Sequence, residues 1–252
     1  MFPDFPVWCQ EFIGPRLHRS QPTRGWCRQR LPVMKLLLLG ATGRTGRLVL
    51  EYALDQGHEV TALVRNPGNV TTQSSRQRVV AGTPERFEDV ARAIVDCEAV
   101  IVALNNSRTS DNPWARPASP PHLMEHAVRN SLKAMKENRI RRIVILSASG
   151  VGDSFQHERW FNRLLVKHSN LGIAFADHNA VDACLRETRD IDWTAVRPVL
   201  LSNAEKRKTL VVSYDGMPKP AMTISRRYVA KFMVDSLSNP AVFARTPVIS
   251  ET

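Results

Sequence analysis

The chain has little of what would tie it to a metal, an oxidised compartment or a membrane. Cysteine is scarce: Cys9, Cys27, Cys97 and Cys184 are scattered over 252 residues without metal-ligand spacing. That argues against a zinc site and a disulfide framework, so no metal is expected, and a reducing, cytoplasmic setting is. No apolar run approaches the roughly 20 residues of a membrane span, and no secretory-type apolar segment is present, so no membrane partner is expected. No internal repeat is visible. Acidic residues are outnumbered, 24 against 35 Lys and Arg, for a formal charge of +11. Yet the short basic clusters at Arg139-Arg141-Arg142, Lys206-Arg207-Lys208 and Arg226-Arg227 carry no interleaved aromatics and no recognised nucleic-acid module. They are expected to be solvated faces plus a pocket for a polyanionic ligand, with no nucleic-acid partner.

What is present is concentrated near one turn. The apolar run Leu36-Leu37-Leu38-Leu39 is followed by Gly40-Ala41-Thr42-Gly43-Arg44-Thr45-Gly46, and then by a helix-like segment from Arg47 to Leu54. Buried strand, tight glycine turn and helix start are the order a dinucleotide phosphate site needs. The turn lets the backbone approach a pyrophosphate, and the unpaired N–H groups of the helix end hold its charge. A glycine triplet alone marks only a turn; strand and helix on either side make it specific.

About twenty residues on, Glu59 to Val64 reads as a second strand. An acidic residue at its end would accept hydrogen bonds from a ribose 2′-hydroxyl and favour NAD. Arg65 stands there instead, followed by Asn66-Pro67-Gly68. Its planar fork of donors suits a 2′-phosphate, and Arg44 in the glycine turn is placed to close on the same group. NADP(H) is the preferred cofactor, with NAD(H) second.

Residues 1–33 hold five prolines, five arginines and two tryptophans with neither helical nor strand periodicity. They read as a disordered or spurious extension, with one NAD(P)-binding domain over 34–252. From Met34, apolar runs alternate with helical patterns: strands at 79–81, 99–104, 143–147, 193–196 and 247–249, helices near 87–95, 122–138 and 226–237. This alternation implies an α/β fold with a doubly wound, mainly parallel sheet of Rossmann type, carrying small C-terminal elements on the substrate side. Asn105 to Pro121, rich in Ser, Asn and Pro, is a long loop of the kind that is functional or mobile.

From Met34 onward the chain resembles the atypical short-chain dehydrogenase/reductase superfamily, in its NAD(P)-binding, NmrA-like and flavin/biliverdin-reductase-like branch. The resemblance rests on Gly40–Gly46, on Val64-Arg65-Asn66-Pro67 and on Ser147-Ala148-Ser149-Gly150-Val151-Gly152. It rests equally on Asp192-Trp193-Thr194-Ala195-Val196-Arg197-Pro198 and on Ile224-Ser225-Arg226-Arg227-Tyr228-Val229-Ala230. It implies that Gly40, Thr42, Gly43, Arg44, Thr45, Gly46 and Arg65 bind the cofactor, that Ala103 and Leu104 border the nicotinamide, and that Ser147 orients substrate.

Two departures bear on chemistry. The superfamily's Tyr-x-x-x-Lys pair, in which lysine lowers the tyrosine pKa, is missing: none of Tyr52, Tyr214 and Tyr228 has lysine four residues later. Tyr228 with Lys231 three residues on matches the family's late structural helix and reads as a decoy. Where the tyrosine would stand, the chain has Phe175-Ala176-Asp177-His178-Asn179-Ala180-Val181-Asp182, with Asp182 in place of a more usual glutamate. His178 is then the side chain best placed to give a proton, since histidine titrates near neutrality; a surface or capping histidine is the bland alternative. The second departure is Gly82-Thr83 where the family commonly has Gly-Asp near the adenine. Trp160, Phe161, Leu164 and Leu165 share a helical face that is either core or an aromatic lid over a flat, apolar small-molecule substrate. The leading expectation is an NADPH-dependent reductase acting on a flavin, quinone, tetrapyrrole or specialised metabolite. The alternative, also implied by the resemblance, is a non-catalytic NADP(H) sensor of NmrA-like type.

Overall fold

A computed structural model describes residues 32–110, 112–158, 160–204 and 208–252. The extension expected over residues 1–33 therefore falls, for 1–31, outside the described residues, as do Cys9, Cys27, Lys206 and Arg207. The strands are β1 (Lys35–Leu39), β2 (Glu59–Val64), β3 (Gln77–Ala81), β4 (Ala99–Val102), β5 (Arg142–Leu146), β6 (Asp192–Pro198), β7 (Leu200–Ser202), β8 (Leu210–Ser213), β9 (Thr223–Ser225) and β10 (Val248–Glu251). The α-helices are α1 (Arg44–Asp55), α2 (Phe87–Ala93), α3 (Leu123–Glu137), α4 (Trp160–Lys167), α5 (Leu171–Glu187) and α6 (Arg226–Asp235).

The large sheet runs β3-β2-β1-β4-β5-β6-β10-β8. From β3 to β10 every neighbour is parallel, and only β8 runs antiparallel, against β10. Its first six strands follow the 3-2-1-4-5-6 order of a dinucleotide-binding fold, whose ligand crevice opens between β1 and β4, where the order reverses. Alternation of side chains explains how one apolar run serves two cores. Leu36 and Leu38 of β1 join Val60, Ala62, Ile101 and Val144 beneath α1 and α6. Leu37 and Leu39 join Leu63, Val100, Val102 and Ile143 beneath α2, α3 and α5. Each such Leu, Ile or Val side chain contributes on the order of 1.5–3 kcal/mol by leaving water.

Helix α1 buries Val49, Leu50, Ala53 and Leu54 on one stripe. It stops at Gly57, whose φ of +94° suits glycine, and the amides of Gly57 and His58 close on the carbonyls of Leu54 and Ala53. The chain then turns straight into β2.

Three features depart from the sequence reading. Strand β4 ends at Val102, so Ala103 and Leu104 lie in the turn beyond it. The C-terminal part holds more strand than periodicity indicates: β8 on the edge of the large sheet, and a separate parallel pair, β7 with β9. Arg142, read as part of a solvated basic face, is only 6% exposed. Its guanidinium donates to the carbonyls of Leu237 (3.1 Å), Ser236 (2.7 Å), Ile143 (3.1 Å) and Asp192 and to Thr194 Oγ1 (2.8 Å), and lies 4.3 Å from the Phe243 ring centroid. Burial lowers its pKa to about 10, which still leaves it charged at neutral pH. It fastens the segment after α6 to the start of β5 and β6. Among the described residues no helix is long and apolar enough to cross a membrane.

Candidate active site

The site grows from the carboxyl end of β1. Gly40 has φ +90°, and a Cβ there would stand 2.7 Å from the carbonyl oxygen of Ala103 and 3.1 Å from Leu104 Cδ2. The turns after β1 and β4 thus touch through backbone, which brings Gly40, Ala103 and Leu104 together. The amide of Gly43 donates to the Gly40 carbonyl at 3.0 Å, closing the turn. Gly43 then caps α1 without any side-chain bond to the helix end, and no acidic residue stands in the first turn. Thr42, Gly43 and Arg44 are exposed, while Thr45 and Gly46 are buried. A helix N-terminus without a side-chain cap, behind a glycine turn, has the open N–H groups that suit a pyrophosphate, and Thr42, Gly43 and Arg44 are the exposed residues there.

Arg65 is exposed just beyond β2. Leu39 pairs with Leu63 in register, so Arg65 follows β2 on the strand beside β1, at the same carboxyl edge of the sheet as the glycine turn. Asn66 Oδ1 accepts from the Gly68 amide at 3.0 Å and fixes the bend that follows. The turn after β3 has its own carboxylate despite Thr83. Asp89 of α2 accepts from the Thr83 amide (3.0 Å) and from Arg92 (2.8 Å), and a Cβ on Gly82 would collide with it at 2.7 Å. The Thr83 amide, then Arg92, hold its carboxyl below the usual range against the opposing effect of burial.

A cleft of about 830 Å³ opens beside the ends of β5 and β6. Arg44 reaches it from the glycine turn, Ser147 and His178 form part of its wall, and Leu200, Tyr214 and Met222 border it from the C-terminal elements. Ser147 lies one residue beyond β5, its amide held by the Val196 carbonyl at 2.7 Å. His178, on α5, is 3% exposed. Burial, with a smaller effect of the Arg197 charge and against that of Asp177, brings its pKa down to about 4. At neutral pH the ring is therefore a neutral imidazole, and its Nδ1 is buried without a partner among the described residues. The stripe on α4 is not core: no residue of that helix is buried, Trp160 is 76% exposed, and Phe161 and Leu165 line the cleft.

An ionic network that sequence reasoning missed reaches the cleft wall through Asp153 and Arg197. Arg197, 1% exposed at the end of β6, donates to Asp182 of α5 at 2.7 Å and to Asp153. Arg186 bridges the same two carboxylates at 2.8 and 2.9 Å. The signal was available: a charge within a buried strand, as in Trp193 to Arg197, requires partners. A second missed arrangement centres on Asp177, whose carboxylate accepts from the amides of Met124 (3.0 Å) and Glu125 (2.9 Å) and from Asn106 Nδ2 (2.8 Å). It caps α3 from another helix and ties down the start of the 105–121 loop. That loop is further held by Trp114 Nε1 on the His168 carbonyl, 3.1 Å, and by Asn170 on the Trp114 carbonyl, 2.9 Å.

His122, Glu125 and Asp177 form a group with ligand atoms within 4.8 Å of one another. Asp177 is committed to helix N–H donors there, whose positive end disfavours a cation. The Tyr228 hydroxyl is spent on the Lys208 backbone, donating to its carbonyl at 2.7 Å and accepting from its amide at 3.0 Å, away from the cleft. Cys97 and Cys184 are free thiols, and burial raises Cys97 to about 11.

Comparison with known proteins bears on the fold and the family. The chain is 27% identical to the uncharacterized protein YwnB of Bacillus subtilis over 186 residues, 70% of this chain and 76% of that protein. It resembles the solved structure of ChuY, an anaerobilin reductase from Escherichia coli O157:H7, with a TM-score of 0.66 and 19% identity over 86% of this chain and 97% of that one. It also resembles a short-chain dehydrogenase/reductase from Veillonella parvula in complex with NADP, with a TM-score of 0.67 and 17% identity over 86% and 94%. At these identities the two structures establish a shared Rossmann-type α/β fold. The NAD(P)H-binding family profile matches residues 40–240, from the first glycine of the turn to beyond α6, and the chain belongs to that family.

Proposed function

We propose that this protein is an NADPH-dependent oxidoreductase that reduces a small conjugated acceptor in the cleft beside Ser147 and His178. The observation that carries the proposal is the continuity of that cleft with the glycine turn through Arg44. A sensor needs only the cofactor half, whereas an enzyme needs room for a second molecule. Residues 34–252 form the NAD(P)-binding domain in this reading, and the protein works in the cytoplasm.

The nicotinamide, when bound, supplies the hydride. Gly40, Thr42, Gly43, Arg44, Thr45 and Gly46 hold the pyrophosphate, Arg65 and Arg44 select the 2′-phosphate, and Ala103 and Leu104 border the nicotinamide. The Ser147 hydroxyl hydrogen-bonds the acceptor. His178, neutral at working pH, hydrogen-bonds it without serving as an imidazolium acid, and the proton comes from water. The acceptor is a flavin, quinone, tetrapyrrole or specialised metabolite. The NADP complex of the Veillonella protein and the reductase activity named for ChuY support this reading by likeness of fold.

The test follows NADPH absorbance with the purified chain against quinones, flavins and biliverdin, with NADH as control. Acceptor-dependent oxidation that prefers NADPH and falls in Arg65→Glu is expected. Tight NADPH binding without turnover on any acceptor transfers the assignment to an NADP(H) sensor. Absence of NADPH binding overturns both.

A further inference from the structure

The end of the cleft away from the glycine turn carries a charge imbalance. It lies at the hairpin after β8, on the far edge of the sheet, where Gly216 packs against the His157 ring. Arg163, Lys219 and Arg245 line the cleft with exposed side chains. None of the three forms an ion pair with a carboxylate among the described residues. The Arg163 guanidinium stands 5.2 Å from the Phe155 ring centroid and that of Arg245 stands 5.3 Å from that of Tyr214.

Three acids line the same cleft, and two are already engaged. Asp153 is held by Arg186 and Arg197. Glu158 accepts from Ser149 and, at 2.9 Å, from Asn162. Asp215, in the hairpin turn, remains against the three cations. Phe155, Phe161, Phe175 and Leu165 supply apolar lining to the same cleft.

A neutral apolar acceptor would use those walls and leave the cations idle. A planar acceptor bearing a carboxylate uses both: its ring system buries apolar area, and its acid meets a guanidinium fork that a carboxylate matches in two parallel hydrogen bonds. We infer that the acceptor is an amphipathic carboxylate, with its conjugated body toward Ser147 and its acid group between Lys219 and Arg245. This rests on the oxidoreductase reading above and names the class of molecule that the same cleft takes.

The test uses a matched pair of probes, naphthalene-2-carboxylate and naphthalene-2-carboxamide, titrated by calorimetry into the full chain saturated with NADP+. Saturation keeps the probes off the phosphate-binding arginines. At low salt the carboxylate should bind on the order of tenfold more tightly, because charge-assisted hydrogen bonds are added to equal ring burial. The preference should shrink to roughly threefold or less in the double variant Lys219→Gln/Arg245→Gln, and in the unaltered chain at 0.5 M salt, where exposed charges are screened. Equal affinity for the two probes, absence of binding by both, or a preference that survives the double variant overturns the inference. NADPH binding, read separately by its fluorescence, distinguishes failure of the inference from failure of the reading beneath it. If NADPH binds and the probes do not discriminate, only the anionic acceptor is lost.

Discussion

A Cβ on Gly46 would stand 1.9 Å from the carbonyl oxygen of Gly40. The third glycine of the turn is therefore where the first turn of α1 crosses the end of β1, and the contact is backbone on both sides, with no flexible side chain to give way. Gly46→Ala should destabilise the protein by about 3 kcal/mol through forced separation of helix and strand. In the same experiment Gly43→Ala should cost under about 1 kcal/mol, since its Cβ meets that oxygen at 3.3 Å with φ at −76°. Urea unfolding of both variants checks the order, and equal losses would contradict it.

The buried Arg142 predicts a different kind of loss. Arg142→Met fills similar space but removes the guanidinium bonds to the carbonyls of Leu237, Ser236 and Asp192, of which Ser236 keeps the Asn239 amide as a donor. The expected cost is about 3 kcal/mol, or roughly 6–12 °C in the melting midpoint for a chain of this size. Arg141→Met, on the exposed neighbour, should change the midpoint by only about 1 °C.

Acid stability should report the burial of His178. The unfolded ring titrates near 6.5 and the folded ring at about 4. Above 6.5 both states are neutral and no difference arises. As pH falls from 6.5 toward 4 the unfolded state takes up a proton that the folded state refuses, so stability falls, and below about 4 this contribution levels off. The whole difference is about 3 kcal/mol. His178→Gln should flatten that stretch of the stability–pH curve, measured by urea unfolding at successive pH values. His58, whose pKa burial also lowers, stays in both proteins and cancels in the comparison.

Asp177 joins three elements through one carboxylate. Asp177→Ala should cost about 2 kcal/mol by uncapping α3 and releasing Asn106. Hydrogen exchange should rise at the amides of Met124 and Glu125 while those of β1 remain protected. Uniform loss of protection would show that the cap acts globally.

The glycine turn and the parallel, doubly wound sheet are legible in the sequence because each depends on local rules. An apolar run of four leucines bounded by glycine must be buried on both faces. A glycine turn before an amphipathic segment leaves helix N–H groups open, and alternating strands and helices force a parallel sheet. The chemistry of the individual turn residues is likewise local: Gly40 needs its positive φ wherever the chain goes next.

What the tertiary structure alone decided is where charge is neutralised and where a surface is left open. Arg142 and Arg197 look alike in sequence, each a cation at one end of an apolar strand, and only packing shows which acceptors surround each one. His178 titrates near neutrality as an isolated residue, and its depression to about 4 follows from burial by elements far away in the chain. The stripe on α4 reads first as core, as most such stripes are, because helical periodicity defines a face without saying what lies opposite. Propensity and spacing act over a few residues, whereas desolvation and ion pairing depend on neighbours that the fold brings together from positions such as Arg197 and Asp153.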